Sequence, residues 1–395
     1  MTGIKRATTD GSFIKHLRKV VENSHVNFLL GAGCSMPAFG TLGNIEELRT
    51  ALAEQQDITE DQRTLIQVSI DVEFFKKAIY PNVELASESL KDDYETTMSG
   101  YHRFCAAAMR LVSRRESTLL PKQVSFFTSN YDICLDSALD RAQVPTNSGF
   151  VGRFNRVVSL GDFGNRHYTH STALGYESEI PSANLVKIHG CVTWEADGER
   201  IYFVTPGERL REIHRLISRM TPSLPEITTG TTIDSLWEEA KSISDVQVND
   251  LRELATQLSQ LSIVLPNKTK FKSTVLNETY YSQLRRLMNQ LENRNSILIV
   301  IGFSFADEHL RNLLKRAAKS NPTLQMYIFC YDKGAECAIK KNLGDPSEFP
   351  NSNVTTVIAA KCECEYECKC ECKAGKIDLP GLASILTKVT GGDDE

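Results

Sequence analysis

The sequence predicts an α/β protein: a parallel sheet covered by helices, with large helical insertions. Three observations carry this. Short apolar runs of strand length recur along the chain with helical stretches between them, the pattern of a parallel sheet joined by helical crossovers. Several of these runs stop abruptly at Gly, Asn or His, as strands do when they open into a loop at one sheet edge. Two long segments, 44–116 and 207–293, read as helical with no strand inside them. At about 150 residues per folding unit, 395 residues make two or three such units.

Asp10–Asn23 has Asp10 as a plausible N-cap and an apolar face of Phe13, Ile14, Leu17, Val20 and Val21, so a helix is expected there. Val26–Leu30 is a short apolar run that breaks at Gly31-Ala32-Gly33, a buried strand feeding a glycine turn. The helical segment 44–116 has one expected break, at Pro81. Val124–Thr128 is the next strand, followed by Asn130-Tyr131-Asp132 and a helix to Arg141. Residues 143–184 read as loop, and Leu185–His189 as a short strand ending in His-Gly. Ser296–Phe303 is the strongest strand signal, followed by the helix Glu308–Lys319 and two further strands, Met326–Tyr331 and Val354–Ile358. The expected division is a core of 1–43, 117–206 and 294–360, helical insertions at 44–116 and 207–293, and a Cys-rich strand with a C-terminal helix over 361–395.

Composition excludes several classes. With 41% hydrophobic and 24% charged residues the chain is neither disordered nor fibrous. A net charge of -5 makes no bulk electrostatic case for direct nucleic-acid binding. The longest apolar run, Ser296–Ala306, is well short of the roughly 20 residues of a membrane span, and the first residues lack the apolar core of a secretory signal. The expectation is a cytoplasmic protein without a membrane partner. Of eleven cysteines, six are scattered as reduced thiols would be, and five lie between Cys362 and Cys372. No C-x-x-C pair occurs, so nothing supports a zinc ribbon.

Four segments carry candidate chemistry, each just after an expected strand. Gly31-Ala32-Gly33-Cys34-Ser35 could bring backbone N–H groups and a hydroxyl to a phosphate, or be only a tight turn; it lacks the third glycine of a dinucleotide fingerprint. Thr128-Ser129-Asn130-Tyr131-Asp132 sets an amide and a carboxylate two residues apart, which point together if extended, or form an Asx-type cap. Lys187-Ile188-His189-Gly190 offers a histidine as a base near neutral pH. Gly302-Phe303-Ser304-Phe305-Ala306-Asp307-Glu308-His309 again sets glycine, hydroxyl and carboxylate at a turn, where Ser304 and Asp307 could also be caps.

Taken in order, these segments resemble the sirtuin-like (SIR2-type) NAD-consuming domains, in particular the divergent bacterial branch used in anti-phage defence. The family pattern of Gly-Ala-Gly-x-Ser, Thr-x-Asn-x-Asp, His-Gly and Gly-x-Ser is met by Gly31–Ser35, Thr128–Asp132, His189-Gly190 and Gly302–Ser304 over roughly residues 20–335. The resemblance implies a Rossmann-like core and NAD+ as substrate, with Asn130 and His189 catalytic. It implies that Gly31, Ala32, Gly33, Ser35, Asp132, Gly302, Ser304 and Asp307 bind the dinucleotide, Asp132 through the nicotinamide carboxamide. The two C-x-x-C pairs of deacetylating sirtuins and their Pro-Asp-Phe-Arg run are missing; Pro37-Ala38-Phe39-Gly40 stands in the latter's place. The activity implied is therefore cleavage of the nicotinamide–ribose bond to nicotinamide and ADP-ribose, with no sirtuin-type zinc. Depletion of NAD+ during abortive infection, a homo-oligomer and regulation by a HerA-type ATPase (helicase) partner are implied by the same analogy. A protein deacylase and a non-catalytic NAD or ADP-ribose sensor are the alternatives.

Nicotinamide leaves NAD+ as a neutral molecule from a cationic donor, so its departure needs no general acid. Asn130 suits the ribose hydroxyls or the attacking water, and His189 can accept a proton. Cys34 has no activating base near it in sequence and is not expected to be a nucleophile. His167-Tyr168-Thr169-His170 would suit a metal only on a helix. The strip Cys362–Cys372 alternates strictly with Glu and Lys, so an edge strand or subunit contact is expected; thiols ~6.6 Å apart along one face are too far apart for one tetrahedral zinc unless the strand bends or pairs.

Overall fold

The structure, a computed structural model, describes residues 3–40, 43–86, 92–115, 118–197, 200–220, 223–228, 230–242, 248–259, 261, 263, 278–360 and 375–392. The Cys362–Cys372 strip lies outside the described residues.

In chain order the strands are β1 (Lys5–Thr8), β2 (His25–Leu30), β3 (Gln123–Thr128), β4 (Thr146–Asn147), β5 (Phe150–Val151), β6 (Val157–Val158), β7 (His167–His170), β8 (Glu177–Ile180), β9 (Ser182–Lys187), β10 (Trp194–Asp197), β11 (Arg200–Phe203), β12 (Ser296–Ile301), β13 (Gln325–Phe329) and β14 (Val354–Ile358). Eight of them form one sheet in the order β1-β14-β13-β12-β2-β3-β9-β4. Every neighbouring pair is parallel. Residues in β2, β3, β9 and β12 are almost all buried because both faces are covered, which is why β2, β3 and β12 read as largely apolar runs, while β9 buries Ser182, Asn184 and Lys187 as well. This is the expected α/β, Rossmann-like arrangement.

One face, with Phe28, Phe126 and Ile299, packs on helices Gly11–Glu22, Asp92–Ser113, Cys134–Arg141 and Leu379–Val389. The other, with Leu29, Phe127 and Val300, packs on helices Glu278–Glu292, Glu308–Ser320 and Lys333–Leu343. The first helix starts as the sequence predicts, with Asp10 Oδ1 accepting from the Phe13 amide at 2.9 Å. A glycine inside helix Asp92–Ser113 costs about 1 kcal/mol in propensity. Gly100 is used for close approach: a Cβ there would lie 3.3 Å from the Pro380 ring, at the seat of the C-terminal helix. Arg18 and Arg114 donate to the Val389, Lys388 and Thr390 carbonyls that end that helix.

A third cluster joins what the sequence separates. Helices Ile45–Glu54 and Glu60–Phe74, from the first inserted segment, share one core with helices Glu208–Met220, Ile233–Ser242 and Val248–Ser259, from the second. Helix Asp92–Ser113, by contrast, belongs to the sheet. The break at Pro81 is prepared by a π-helical turn, Phe75–Ile79, in which the Tyr80 amide reaches back to the Phe75 carbonyl. The stretch 143–184 is more ordered than its composition suggests. β5, β6, β10 and β11 form a small antiparallel sheet, and β7–β8 a two-stranded ribbon. β1 is short and charged and, among the described residues, pairs only with β14, so it has no apolar signature to read. No helix of the described residues is long and apolar enough to cross a membrane.

Candidate active site

From β2 the chain winds through β3 to β9, and from β12 through β13 to β14 in the opposite direction. The reversal falls between β2 and β12, where a crevice forms beyond the strand ends. The four motif strands, β12, β2, β3 and β9, are consecutive neighbours, so all four candidate segments emerge side by side.

The glycines meet one another at this point. The Gly31 amide donates to the Ile301 carbonyl and the Gly33 amide to the Gly302 carbonyl, each at 3.0 Å. A Cβ on Gly31 would stand 2.4 Å from Gly302 O, and one on Gly302 would stand 2.6 Å from the Cys34 amide nitrogen. Gly302 also has φ +64°, a conformation that favours glycine. The glycine pattern is thus required first by backbone-on-backbone packing of two loops. Ala32, Gly33 and Ser304 remain exposed on the rim of this junction.

Below the rim lies a buried network. Asn130 Nδ2 donates to the Gly31 carbonyl at 3.1 Å and to Ser35 Oγ at 3.0 Å. Ser35 Oγ donates to Asp132 Oδ2 at 2.7 Å, and with its one proton so used it accepts from the Tyr101 hydroxyl at 2.9 Å. Burial raises the Tyr101 pKa well above that of an ordinary tyrosine, and Asp132 adds to this, so Tyr101 stays a donor. Asp132 Oδ1 accepts from the Cys134 amide at 3.1 Å. Ser35 and Asp132 therefore stand behind Asn130 and orient it. Asn130 Oδ1, itself buried, has no partner among the described residues. An acceptor left over in a polar, buried setting is a place for a ligand hydroxyl or water.

The tertiary structure adds a pair that the sequence does not show. His189 Nε2 lies 3.2 Å from Asp307 Oδ2, and both side chains are about nine-tenths buried. Asp307 also caps helix Glu308–Ser320, its Oδ1 accepting from the His309 and Leu310 amides at 3.1 Å. A carboxylate facing Nε2 favours the proton on that nitrogen and leaves Nδ1 as the basic atom. Phe305, in the turn leading to Asp307, has φ +60° although bulky and buried, a conformation held only by its surroundings.

Three further residues were not legible as site residues. Lys187 Nζ meets Asp136 Oδ2 and the Asp132 carbonyl, each at 2.5 Å, which ties the β3 and β9 loops together. Burial works against its charge, but Asp136, with Cys191 and Asp132, outweighs burial and holds the ammonium above the usual lysine range. Asn82 Oδ1 accepts from the Ile133 amide at 3.0 Å, and the Lys77 carbonyl in the π-helical turn accepts from the Gly40 amide at 3.1 Å. The first insertion thus props both motif loops. Lys187 alone had a signal, a cation at the end of an apolar strand.

Cys34 is buried and its Sγ faces the Ile301 carbonyl at 3.3 Å; burial raises its pKa far above that of a reactive thiol. His167 and His170 lie on β7, where a spacing of three points them to opposite faces, so they do not form a pair. Among the described residues no group of three His, Cys, Asp or Glu side chains converges as a metal site would.

The sequence model of one family, the SIR2-like domain, matches residues 257–348. The match includes β12 and the Gly302–Asp307 turn and leaves Gly31, Asn130 and His189 outside it. No curated protein matches the chain. The similarity is to SIR2-type proteins, whose domain is typical of NAD-dependent enzymes, and it supports an NAD-related enzymatic role in general.

Proposed function

We propose that the chain is an NAD+ glycohydrolase that converts NAD+ and water to nicotinamide, ADP-ribose and a proton. The observation that carries this reading is the convergence of Asn130, with its unpartnered Oδ1, and the His189–Asp307 pair at the carboxyl ends of four adjacent strands. Asn130 is held by two donated bonds, so its remaining oxygen can accept from a ribose hydroxyl or the attacking water without adding charge. His189 accepts the water proton at Nδ1 as the C1′–O bond forms and the C1′–N bond to nicotinamide breaks. Asp307 holds the ring and balances the imidazolium. Ala32, Gly33 and Ser304 at the rim suit the phosphates and ribose, which is positioning.

The family analogy extends the proposal to NAD+ depletion in anti-phage defence, within a homo-oligomer regulated by a HerA-type ATPase. The test is chromatography of NAD+ incubated with the purified chain, with and without such an ATPase, beside Asn130→Ala and His189→Ala. Equal amounts of nicotinamide and ADP-ribose from the parent, and neither from the variants, are expected. Cleavage retained by either folded variant removes that residue from the mechanism. No cleavage under any condition rejects the hydrolase reading and turns attention to deacylation or NAD sensing.

A further inference from the structure

The opposite end of the sheet holds a cavity that the site above does not use. It has a volume of about 220 Å³ and lies at the starts of β2 and β3, under Phe163 and the end of helix Glu278–Glu292. Six residues at about 3.3 Å each place His25 roughly 20 Å from Gly31, so the two regions are separate.

Its lining is cationic and rich in amides. Arg166 and Arg286 face it with His25, Asn27, Gln123 and Gln290, and among the described residues no carboxylate lines it. Asn27 is 1% exposed. Its Nδ2 is used by the His25 and Ile297 carbonyls and by Ser296 Oγ, at 3.1 to 3.2 Å, while its Oδ1 has no partner among the described residues. Arg286 is anchored through Nη2 to the Phe163 carbonyl, and its buried Nε also has no partner among the described residues. One wall thus offers an acceptor and another a cationic donor, both desolvated and unsatisfied, and such groups are costly to leave unmade. Burial, then Arg115 and Arg166, lower the pKa of His25, in keeping with a positive local field.

We propose that this cavity is a binding site for a small hydroxylated anion: Arg166 and Arg286 take the anionic group, and Asn27 Oδ1 accepts from a hydroxyl. The volume corresponds to about seven waters of about 30 Å³ each, which suits a sugar phosphate and is too small for a dinucleotide. The proposal does not depend on the NAD+ reading.

The test is calorimetry of the full chain with ribose 5-phosphate, inorganic phosphate and ribose. Ribose 5-phosphate is expected to bind more tightly than either part alone. Arg166→Gln, an exposed position where folding is not at stake, should weaken it about tenfold, the value of one charge-assisted contact. Asn27→Leu should abolish the preference for ribose 5-phosphate over phosphate. The inference is overturned if none of the three binds at millimolar concentration or if ribose binds as well as its phosphate. It is equally overturned if Arg166→Gln leaves affinity unchanged, including the case where only Asn130→Ala removes binding, which would put the ligand at the other end of the sheet.

Discussion

Asp307→Asn isolates the contribution of the carboxylate behind His189. The substitution keeps the shape of the side chain, and asparagine caps a helix about as well as aspartate, so helix Glu308–Ser320 keeps its start. What is lost is the charge 3.2 Å from His189 Nε2. A full charge pair at that separation and an effective dielectric near 20 gives about 5 kcal/mol, a ceiling that desolvation lowers. A charge-assisted hydrogen bond is worth about 1.5–3 kcal/mol, which corresponds to a fall in kcat of about ten- to a hundredfold. The assay is steady-state NAD+ cleavage, with a urea melt on the same sample. A kcat within twofold of the parent, in a protein of unchanged stability, would refute a role for the pair. A loss of activity matched by a loss of stability would assign Asp307 to the fold alone, and Asp307→Ala, which removes cap and charge together, gives the size of that structural effect.

Gly302→Ala must place a Cβ 2.6 Å from the Cys34 amide nitrogen at φ +64°, so it should destabilise the protein by at least about 2 kcal/mol, read as a lower urea midpoint. An unchanged midpoint would deny the interlocking of the two loops. Lys187→Met leaves Asp136 beside a buried apolar chain and should cost about 3 kcal/mol; a neutral or stabilising result would show that the pair is not needed to join the β3 and β9 loops. Acid should destabilise the protein in two windows. The folded pKa of His25 lies below 6.5, so the unfolded chain takes up the proton first and stability falls as pH drops through 6.5. Glu336 is held below 4.5: burial opposes its charge, but Lys340, Thr356 and Arg6 outweigh burial, so its contribution is present above pH 4.5 and lost below it. Urea melts from pH 8 to 3 should show both slopes, and His25→Asn should reduce only the upper one, which His102, also held below 6.5 by burial and Arg141, shares.

Much of this protein was legible in its sequence because local signals and tertiary demands agree. The Asp10 cap, the apolar runs of β2, β3, β12 and β14 and the break at Pro81 follow from periodicity and backbone chemistry alone. So does the position of each candidate segment at a strand end, since an apolar run can only stop where the chain leaves the sheet. Two-residue strands such as β5 and β6 carry too few positions for a period, and so 143–184 reads as loop. Strand order is not local either. That β12 lies beside β2, with Ser296 paired to His25 across 271 residues of chain, is set by how helices cover both faces of the sheet. This one adjacency brings Gly302 against Gly31 and sets Asp307 beside His189. The pairing of β2 with β3 likewise turns Ser35 toward Asn130 and Asp132 in place of the rim. Sequence determined which residues stand at the strand ends; only the packing of the sheet decided which of them touch, because contacts between distant segments depend on burying apolar faces jointly and leave no trace in the spacing of either segment.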